Sequence, residues 1–450
     1  MKAISRRELL HRTGLALGGG LLASAAAMAT RSSGRPPNFV VIFVDDMGYG
    51  DLGCYGAEQI KTPRLDQMAA EGIRFTDFYC CAPVCTPSRA GLMTGRYPIR
   101  SGLTRVLFPN SKSGIDDSEI TIAQVLQEQG YATACFGKWH LGHHPENLPT
   151  RHGFDYYYGV PYSNDMEVKR RGDPPLPLMR NEEIAEQPAN QDTLTKRYTE
   201  EAIGFIRQHK HRPFFVYLPH TMVHIPLHVS DDFRDTSARG LYGDAVEEID
   251  WSTGAILDEI KALDLDEDTL VCFTSDNGPW LVMEENGGSA GPLRDGKGTT
   301  FEGGMRMPCI ARWPGSITPG RVEHAPASTL DFLPTFAALA GGTAPKDRVI
   351  DGKDITGVFL GTGSRADEEF FYYHGQELRA YRSGKWKLKR PFKGKVYGRA
   401  LQHPTLLYDI VRDPGETTNL ASQYPQVVAR MEQAMDAFHG GLGEVPPPKR

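Results

Sequence analysis

The chain has 450 residues, of which 40% are hydrophobic and 24% charged, and a formal net charge of −6. That length exceeds one ordinary core, so a large domain with a smaller one, or two linked units, is expected, and the composition excludes a disordered or membrane-embedded chain. The acidic balance lacks the electrostatic footprint of a nucleic-acid binder, and the absence of an internal repeat argues against a solenoid.

Residues 1–29 differ from the rest. Paired arginines in Ser5-Arg6-Arg7-Glu8-Leu9-Leu10 precede an apolar, glycine-rich stretch from Gly14 to Ala27, and Ala27-Met28-Ala29 offers a small-residue cleavage site. This is the layout of a bacterial export signal, with the arginine pair suggesting the twin-arginine route over ordinary secretion. The alternative, an N-terminal membrane anchor, is disfavoured by the shortness and Gly/Ala content of the stretch. A periplasmic or secreted protein, delivered by the export machinery and free of the membrane once mature, is expected. Cleavage would remove Lys2, Arg6, Arg7, Arg12 and Glu8, taking the net charge to −9. Such a protein repels polyanions at long range, so an anionic substrate needs a local cluster of cations or a metal.

Residues 30–37 read as a linker. Asn38-Phe39-Val40-Val41-Ile42-Phe43-Val44 is a continuous apolar run, the pattern of a strand buried on both faces, and it ends on Asp45-Asp46. Similar runs at 132–136, 214–218 and 269–274 alternate with helical patterns at 64–71, 120–129, 192–208 and 242–263. Strands alternating with helices imply an α/β domain over 38–365, with a large, mostly parallel central sheet flanked by helices. In such folds ligands sit beyond the carboxyl ends of the strands. There this sequence places Asp45-Asp46, then Gly137-Lys138-Trp139-His140, then His220 and His224, then Ser275-Asp276-Asn277-Gly278. Residues 366–450 change character. Two alternating segments around Ser383-Gly384, a short strand at 406–410 and a helix at 424–439 predict a small antiparallel sheet with one helix. The basic stretch from Arg379 to Lys395 reads as a solvated strand face, with substrate binding the alternative.

The seven cysteines form neither a disulfide framework nor a CxxC zinc pattern. Cys135, Cys272 and Cys309 sit in apolar runs and read as core; Cys80 and Cys81 have no clear partner. Cys85 opens Cys85-Thr86-Pro87-Ser88-Arg89, where Pro in the first turn predicts a helix start. There the free N–H groups and Arg89, one turn on, favour an anion. A thiolate nucleophile is one reading. It conflicts with Asp45, Asp46, Asp276 and Asn277, hard oxygen ligands that suit Ca²⁺ or Mg²⁺ and not sulfur.

The sequence resembles type I sulfatases of the alkaline phosphatase superfamily, close in pattern to arylsulfatases and N-acetylgalactosamine-sulfatases. The resemblance runs from Asn38 to about Leu420. It is carried by Cys85-Thr86-Pro87-Ser88-Arg89 with Leu92-Met93-Thr94-Gly95-Arg96, by Gly137-Lys138-Trp139-His140-Leu141-Gly142, and by Ser275-Asp276-Asn277-Gly278-Pro279. Leu293-Arg294-Asp295-Gly296-Lys297-Gly298, Glu302-Gly303-Gly304 and Leu407-Tyr408-Asp409-Ile410 extend it. It implies that a maturation enzyme oxidises Cys85 to Cα-formylglycine, whose hydrate supplies an oxygen nucleophile. It also implies one divalent cation, Ca²⁺ with Mg²⁺ the alternative, held by Asp45, Asp46, Asp276, Asn277 and the modified Cys85. Arg89 and Lys138 would hold the hydrated aldehyde. Asp276 would accept the proton of the attacking hydroxyl. His224 and Lys297 would bind sulfate, one of them protonating the leaving oxygen, and Lys138 would line the same site. His140 would take the proton that releases sulfate. Ser163 matches a sulfate-binding position, with a loop-capping serine the alternative. The implied reaction is hydrolysis of a sulfate monoester, by default of a carbohydrate. The rivals are a phosphonate or phosphodiester hydrolase of the same superfamily and a non-catalytic binder of sulfated glycans.

Overall fold

The computed structural model describes residues 35–167 and 172–449. The expected export signal and residues 30–34 of the expected linker lie outside the described residues. From residue 37 onward the chain forms one compact unit.

Eleven strands build the central sheet: β1 (Asn38–Val44), β2 (Ile73–Tyr79), β3 (Ala132–Phe136), β4 (Tyr156–Gly159), β5 (Leu178–Arg180), β6 (Glu183–Glu186), β7 (Phe214–Pro219), β8 (Thr269–Ser275), β9 (Arg306–Arg312), β10 (Arg321–Glu323) and β11 (Ala327–Ser328). Their order is β10, β2, β9, β8, β1, β7, β3, β4, β5, β6, with β11 beside β2. The four central strands β8, β1, β7 and β3 are parallel, as their unbroken apolar runs predict. β9 runs antiparallel to both β8 and β2, and β5 and β6 add an antiparallel edge.

The pleat sends alternate residues of β1 into two cores. Val40, Ile42 and Val44 face one; Phe39, Val41 and Phe43 face the other. On the first face pack α4 (Leu194–His209), through Tyr198, Ala202 and Phe205, and α5 (Gly240–Ala262), through Val246, Ile249 and Ile256. On the second pack α2 (Cys85–Thr94), α3 (Ile122–Glu128) and α6 (Phe332–Leu339). α1 (Pro63–Glu71) completes the first face through Leu65 and Met68. Each fully buried Phe, Leu, Ile or Val contributes about 1.5–3 kcal/mol.

The smaller sheet comprises β12 (Glu369–His374), β13 (Glu377–Ser383), β14 (Trp386–Lys389) and β17 (Leu406–Asp409), all antiparallel, with α7 (Pro425–Gly440) against it. A separate hairpin, β15 (Phe392–Val396) and β16 (Arg399–His403), leaves it between β14 and β17. The expected solvated face from Arg379 to Lys395 is only half correct. Lys385, Lys393 and Lys395 are exposed, but Arg382, Lys387 and Lys389 are buried. Lys387 Nζ lies 2.7 Å from Glu302 and 3.0 Å from Glu416, and Arg382 bonds Asp77 at 2.6 Å. These carboxylates from distant segments make burial of the cations tolerable. All seven cysteines are free.

Candidate active site

Parallel register brings the chemistry together. Val44 pairs with Ser275, so Asp45-Asp46 and Asp276-Asn277 leave β1 and β8 side by side. The Asp276 N–H donates to Val44 O at 2.9 Å, and the Asp46 N–H donates to Asp276 Oδ1 at 3.1 Å. Asp46 is held at φ 62°, a left-handed conformation costing about 1–3 kcal/mol that surrounding contacts must sustain. All four residues are buried.

The cations come from three other segments. After β3 the chain turns at Gly137, φ 135°, where a Cβ would meet Pro219 O at 1.9 Å. Only glycine permits that approach. The next residue, Lys138, donates from Nζ to Asp45 Oδ2 and, at 3.0 Å, to Ser163 Oγ. Lys297 Nζ sits 2.6 Å from the Asp46 carboxylate. Arg89 is fully buried in α2; its Nε and Nη2 donate to Asp276 Oδ2 at 3.2 and 2.8 Å, and its Nη1 donates to Lys138 O at 2.9 Å. Burial would raise the Asp45 carboxyl, but the Lys138 ammonium and Arg89 outweigh it and hold it well below the usual carboxylate range. Burial would likewise lower the Lys297 ammonium, yet the Asp46 carboxylate raises it, so it stays charged.

Cys85 is the first residue of the ten-residue α2, after an extended Val84. The position should favour a thiolate. Burial nevertheless raises the thiol, and Lys138 and Lys297 only partly pull it back. The helix start alone therefore does not make Cys85 a thiolate.

Two imidazoles complete the set. His140 Nε2 lies 2.9 Å from Leu107 O, a carbonyl that can only accept, so Nε2 carries the proton. Its Nδ1 is buried without a partner among the described residues. Burial, then Lys138, push His140 well below the ordinary histidine range, leaving a neutral ring with a free lone pair. His224 Nδ1 donates to Ile225 O at 2.5 Å, and its Nε2 lies 3.6 Å from Asp46 Oδ2. Burial and Lys297 lower it too.

The residues fit a hard divalent cation. Asp45 Oδ1 and Asn277 Oδ1 are buried oxygens with no hydrogen-bond partner among the described residues, a state that is costly unless something else coordinates them. Donor atoms of Asp45, Asp46 and His224 lie within 4.8 Å of one another. Burial and the nearby Asp45 carboxylate push Asp276 up to about 7, a repulsion that a cation relieves. Oxygen donors select Ca²⁺ or Mg²⁺ over softer metals.

The sequence-derived residues thus converge, with differences in detail. Arg89 is engaged by Asp276 and the Lys138 carbonyl, behind the cluster. Ser163 is buried and accepts from Lys138, which joins it to the cluster. His220 faces Ser252 at 3.3 Å, His228 pairs with Asp192 at 2.7 Å, and His144 bonds Ser111 O at 3.1 Å. His143 packs on Tyr162, and His152 is buried against Trp139. Two neighbours escaped sequence reasoning. Trp280 lies 4.5 Å beneath Lys297 Nζ and 5.4 Å from the His224 ring. Tyr397, from the distant β15–β16 hairpin, lies 5.0 Å from Trp280. Trp280 was findable, three residues after Asn277; nothing in the sequence points Tyr397 to this place.

The Sulfatase family model matches residues 37–342, and the model for the C-terminal region of aryl-sulfatase matches 365–448. The chain is 42% identical to arylsulfatase A of Homo sapiens, over 92% of this chain and 89% of that protein. It is 44% identical to N-acetylgalactosamine-6-sulfatase of Canis lupus familiaris, over 82% and 74%. Among solved structures, the PsFucS1 sulfatase from Pseudoalteromonas sp. superposes with TM-score 0.86 at 29% identity, covering 94% of each chain. Ps i-CgsB, solved with a neocarrahexaose, gives TM-score 0.80 at 30% identity, covering 92% and 94%.

Proposed function

The chain belongs to the sulfatase family and hydrolyses sulfate esters, and from that premise we propose that Cys85, oxidised to Cα-formylglycine, provides the nucleophile at a site holding one divalent cation. The observation that carries this is the pair of partnerless buried oxygens, Asp45 Oδ1 and Asn277 Oδ1, in the cluster around a cysteine whose thiol burial keeps protonated.

Asp45, Asp46, Asp276 and Asn277 would hold the cation, Ca²⁺ with Mg²⁺ the alternative, both hard ions that take oxygen donors. The cation would supply positive charge against the sulfate oxygens, and the hydrated aldehyde an oxygen nucleophile at position 85. The chain's own groups do the rest. Lys138, Ser163, Lys297 and His224 bind the sulfate and offset the charge that grows as sulfur becomes five-coordinate. Arg89, fixed on Asp276, keeps that carboxylate and the Lys138 loop in place. Asp276 takes the proton of the attacking hydroxyl. Lys297, which stays charged, delivers a proton from Nζ to the leaving alcohol oxygen as its bond to sulfur breaks. His140 Nδ1, neutral and free, accepts the proton whose removal releases sulfate. The net change consumes one water and yields alcohol and inorganic sulfate.

A sulfated carbohydrate is the proposed substrate, supported by a relative named for N-acetylgalactosamine 6-sulfate and a neighbour solved with a neocarrahexaose. Export to the periplasm or beyond, through the signal in residues 1–29, brings the enzyme to such glycans. The test compares an aryl sulfate with an aryl phosphate on one preparation. Faster sulfate turnover, lost on chelation and restored by Ca²⁺, is expected; faster phosphate turnover overturns the assignment.

A further inference from the structure

Beyond the charged cluster lies a cavity of about 180 Å³ walled by Trp280, Leu281, Val282, Lys297 and Tyr397, with the Asp295–Arg399 ion pair on one side. Its walls are unlike the rest of the surface. Leu281, Val282 and Tyr397 are each more than 40% exposed and account for three of the nine exposed large hydrophobic residues among those described. Such a grouping beside a catalytic centre marks a contact surface. Trp280 adds a second observation: its Nε1 is buried and has no hydrogen-bond partner among the described residues. A buried donor left unpaired is costly and calls for an acceptor from outside.

Tyr397 is placed here at an energetic cost. It occupies the first position of the two-residue turn joining β15 and β16, with φ 47°, followed by Gly398 at φ 82°. Two successive positive φ values make this the hairpin turn that ordinarily takes Asn-Gly, and a tyrosine in the left-handed region costs about 1–3 kcal/mol. The turn is docked, not loose. A Cβ on Gly298 would meet Tyr397 Cε2 at 2.6 Å, and Arg399 bonds both carboxylate oxygens of Asp295 at 2.5 Å. Thus the segment carrying Lys297 is clasped by the hairpin that carries Tyr397.

We propose that Trp280 and Tyr397 form the subsite for the alcohol half of the substrate, and that it takes a single pyranose ring bearing the sulfate. The volume suits the size: a cavity of about 150 Å³ already accepts a benzene ring, so one six-membered ring fits here. The chemistry decides the class. A pyranose has a C–H face for the tilted aromatic pair and hydroxyls at its edge for Trp280 Nε1, whereas an unsubstituted aryl ring satisfies only the first. This inference rests on the sulfate ester reading, since it takes the sulfate to lie on Lys297.

The test uses two substitutions in the full-length, metal-loaded enzyme. Tyr397→Asn removes the ring yet suits the turn, so the hairpin is kept. Trp280→Phe keeps a ring and removes the N–H. Michaelis constants are measured for galactose and N-acetylhexosamine monosulfates and for p-nitrophenyl sulfate, with the inhibition constant of inorganic sulfate as the ring-free reference. A rise in KM for the monosaccharides of roughly 3–10-fold in each variant, the size of an aromatic contact, with kcat and the sulfate constant unchanged, supports the subsite. Unchanged KM in both variants, equal shifts in the sulfate constant, or a rise confined to the aryl ester overturns it. Binding of the unsulfated sugars by calorimetry separates this from the function itself. Platform-dependent sugar binding without sulfate ester turnover contradicts the esterase reading alone; turnover with a platform-independent KM contradicts the subsite alone.

Discussion

At Cys85 two physical effects oppose each other. The helix start and the Lys138 and Lys297 ammoniums favour an anion, while burial favours the neutral thiol and wins. Replacement by alanine removes the atom that the modification needs, so Cys85→Ala is expected to retain its circular dichroism and lose turnover; residual activity near wild type would show that another group attacks. Lys297→Ala removes a charge-bearing donor and should lower kcat by about 10²–10³-fold on an aryl sulfate. A change confined to KM would mean that Lys297 only binds. His140 gives a pH prediction. Burial and Lys138 hold its pKa well below the ordinary value, so the ring is neutral, and competent as a base, at every pH above that depressed value. His140 should therefore limit activity only as pH falls through that depressed value, with no His140 inflection near 6.5 in the kcat profile. An inflection there that disappears in His140→Asn would contradict the assignment.

Elements were legible to different degrees. β1, β3, β7 and β8 could be read because strands buried on both faces leave unbroken apolar runs, and their termini gave Asp45, Asp46, Lys138, Asp276 and Asn277 directly. The antiparallel placement of β9 could not be read, since Arg306–Arg312 has the same apolar pattern in either direction. The misreading of Lys387 and Lys389 has a clear cause. Lys385-Trp386-Lys387-Leu388-Lys389 alternates as an exposed strand does, and the partners that permit burial, Glu302, Glu416 and Thr300, are remote in sequence. The same remoteness hid Tyr397. Burial raises Glu302, but Lys387 and Arg306 outweigh it and hold it at about 2. A carboxyl depressed in the folded state contributes stability that is present above its unfolded pKa and lost as pH falls towards 2. Lys387→Met leaves Glu302 and Glu416 buried without their shared cation and should cost about 3–5 kcal/mol in urea unfolding at neutral pH. A loss below about 0.5 kcal/mol would show that the ion cluster does not tie the C-terminal sheet to the catalytic sheet.

For the whole molecule, an acidic chain acts on anions, so capture must be local. The proposed mechanism gives that role to Lys138, Lys297 and the cation, and so predicts that turnover needs the metal. Asp45→Asn, which keeps the shape and removes a ligand charge, should lower the bound metal measured by atomic emission together with activity; full metal content with lost activity would assign Asp45 to chemistry instead. No helix among the described residues is long and apolar enough to cross a membrane, and the signal proposed for residues 1–29 predicts a periplasmic or secreted protein beginning at Thr30, which N-terminal sequencing reads. The central claim is that position 85 carries an oxygen nucleophile made from cysteine. It is tested most directly by the mass of the tryptic peptide Phe75–Arg89 from active enzyme. The account predicts a peptide lighter by the replacement of CH₂SH with CHO, in proportion to activity across preparations; fully active enzyme whose peptide carries only an intact thiol would contradict it.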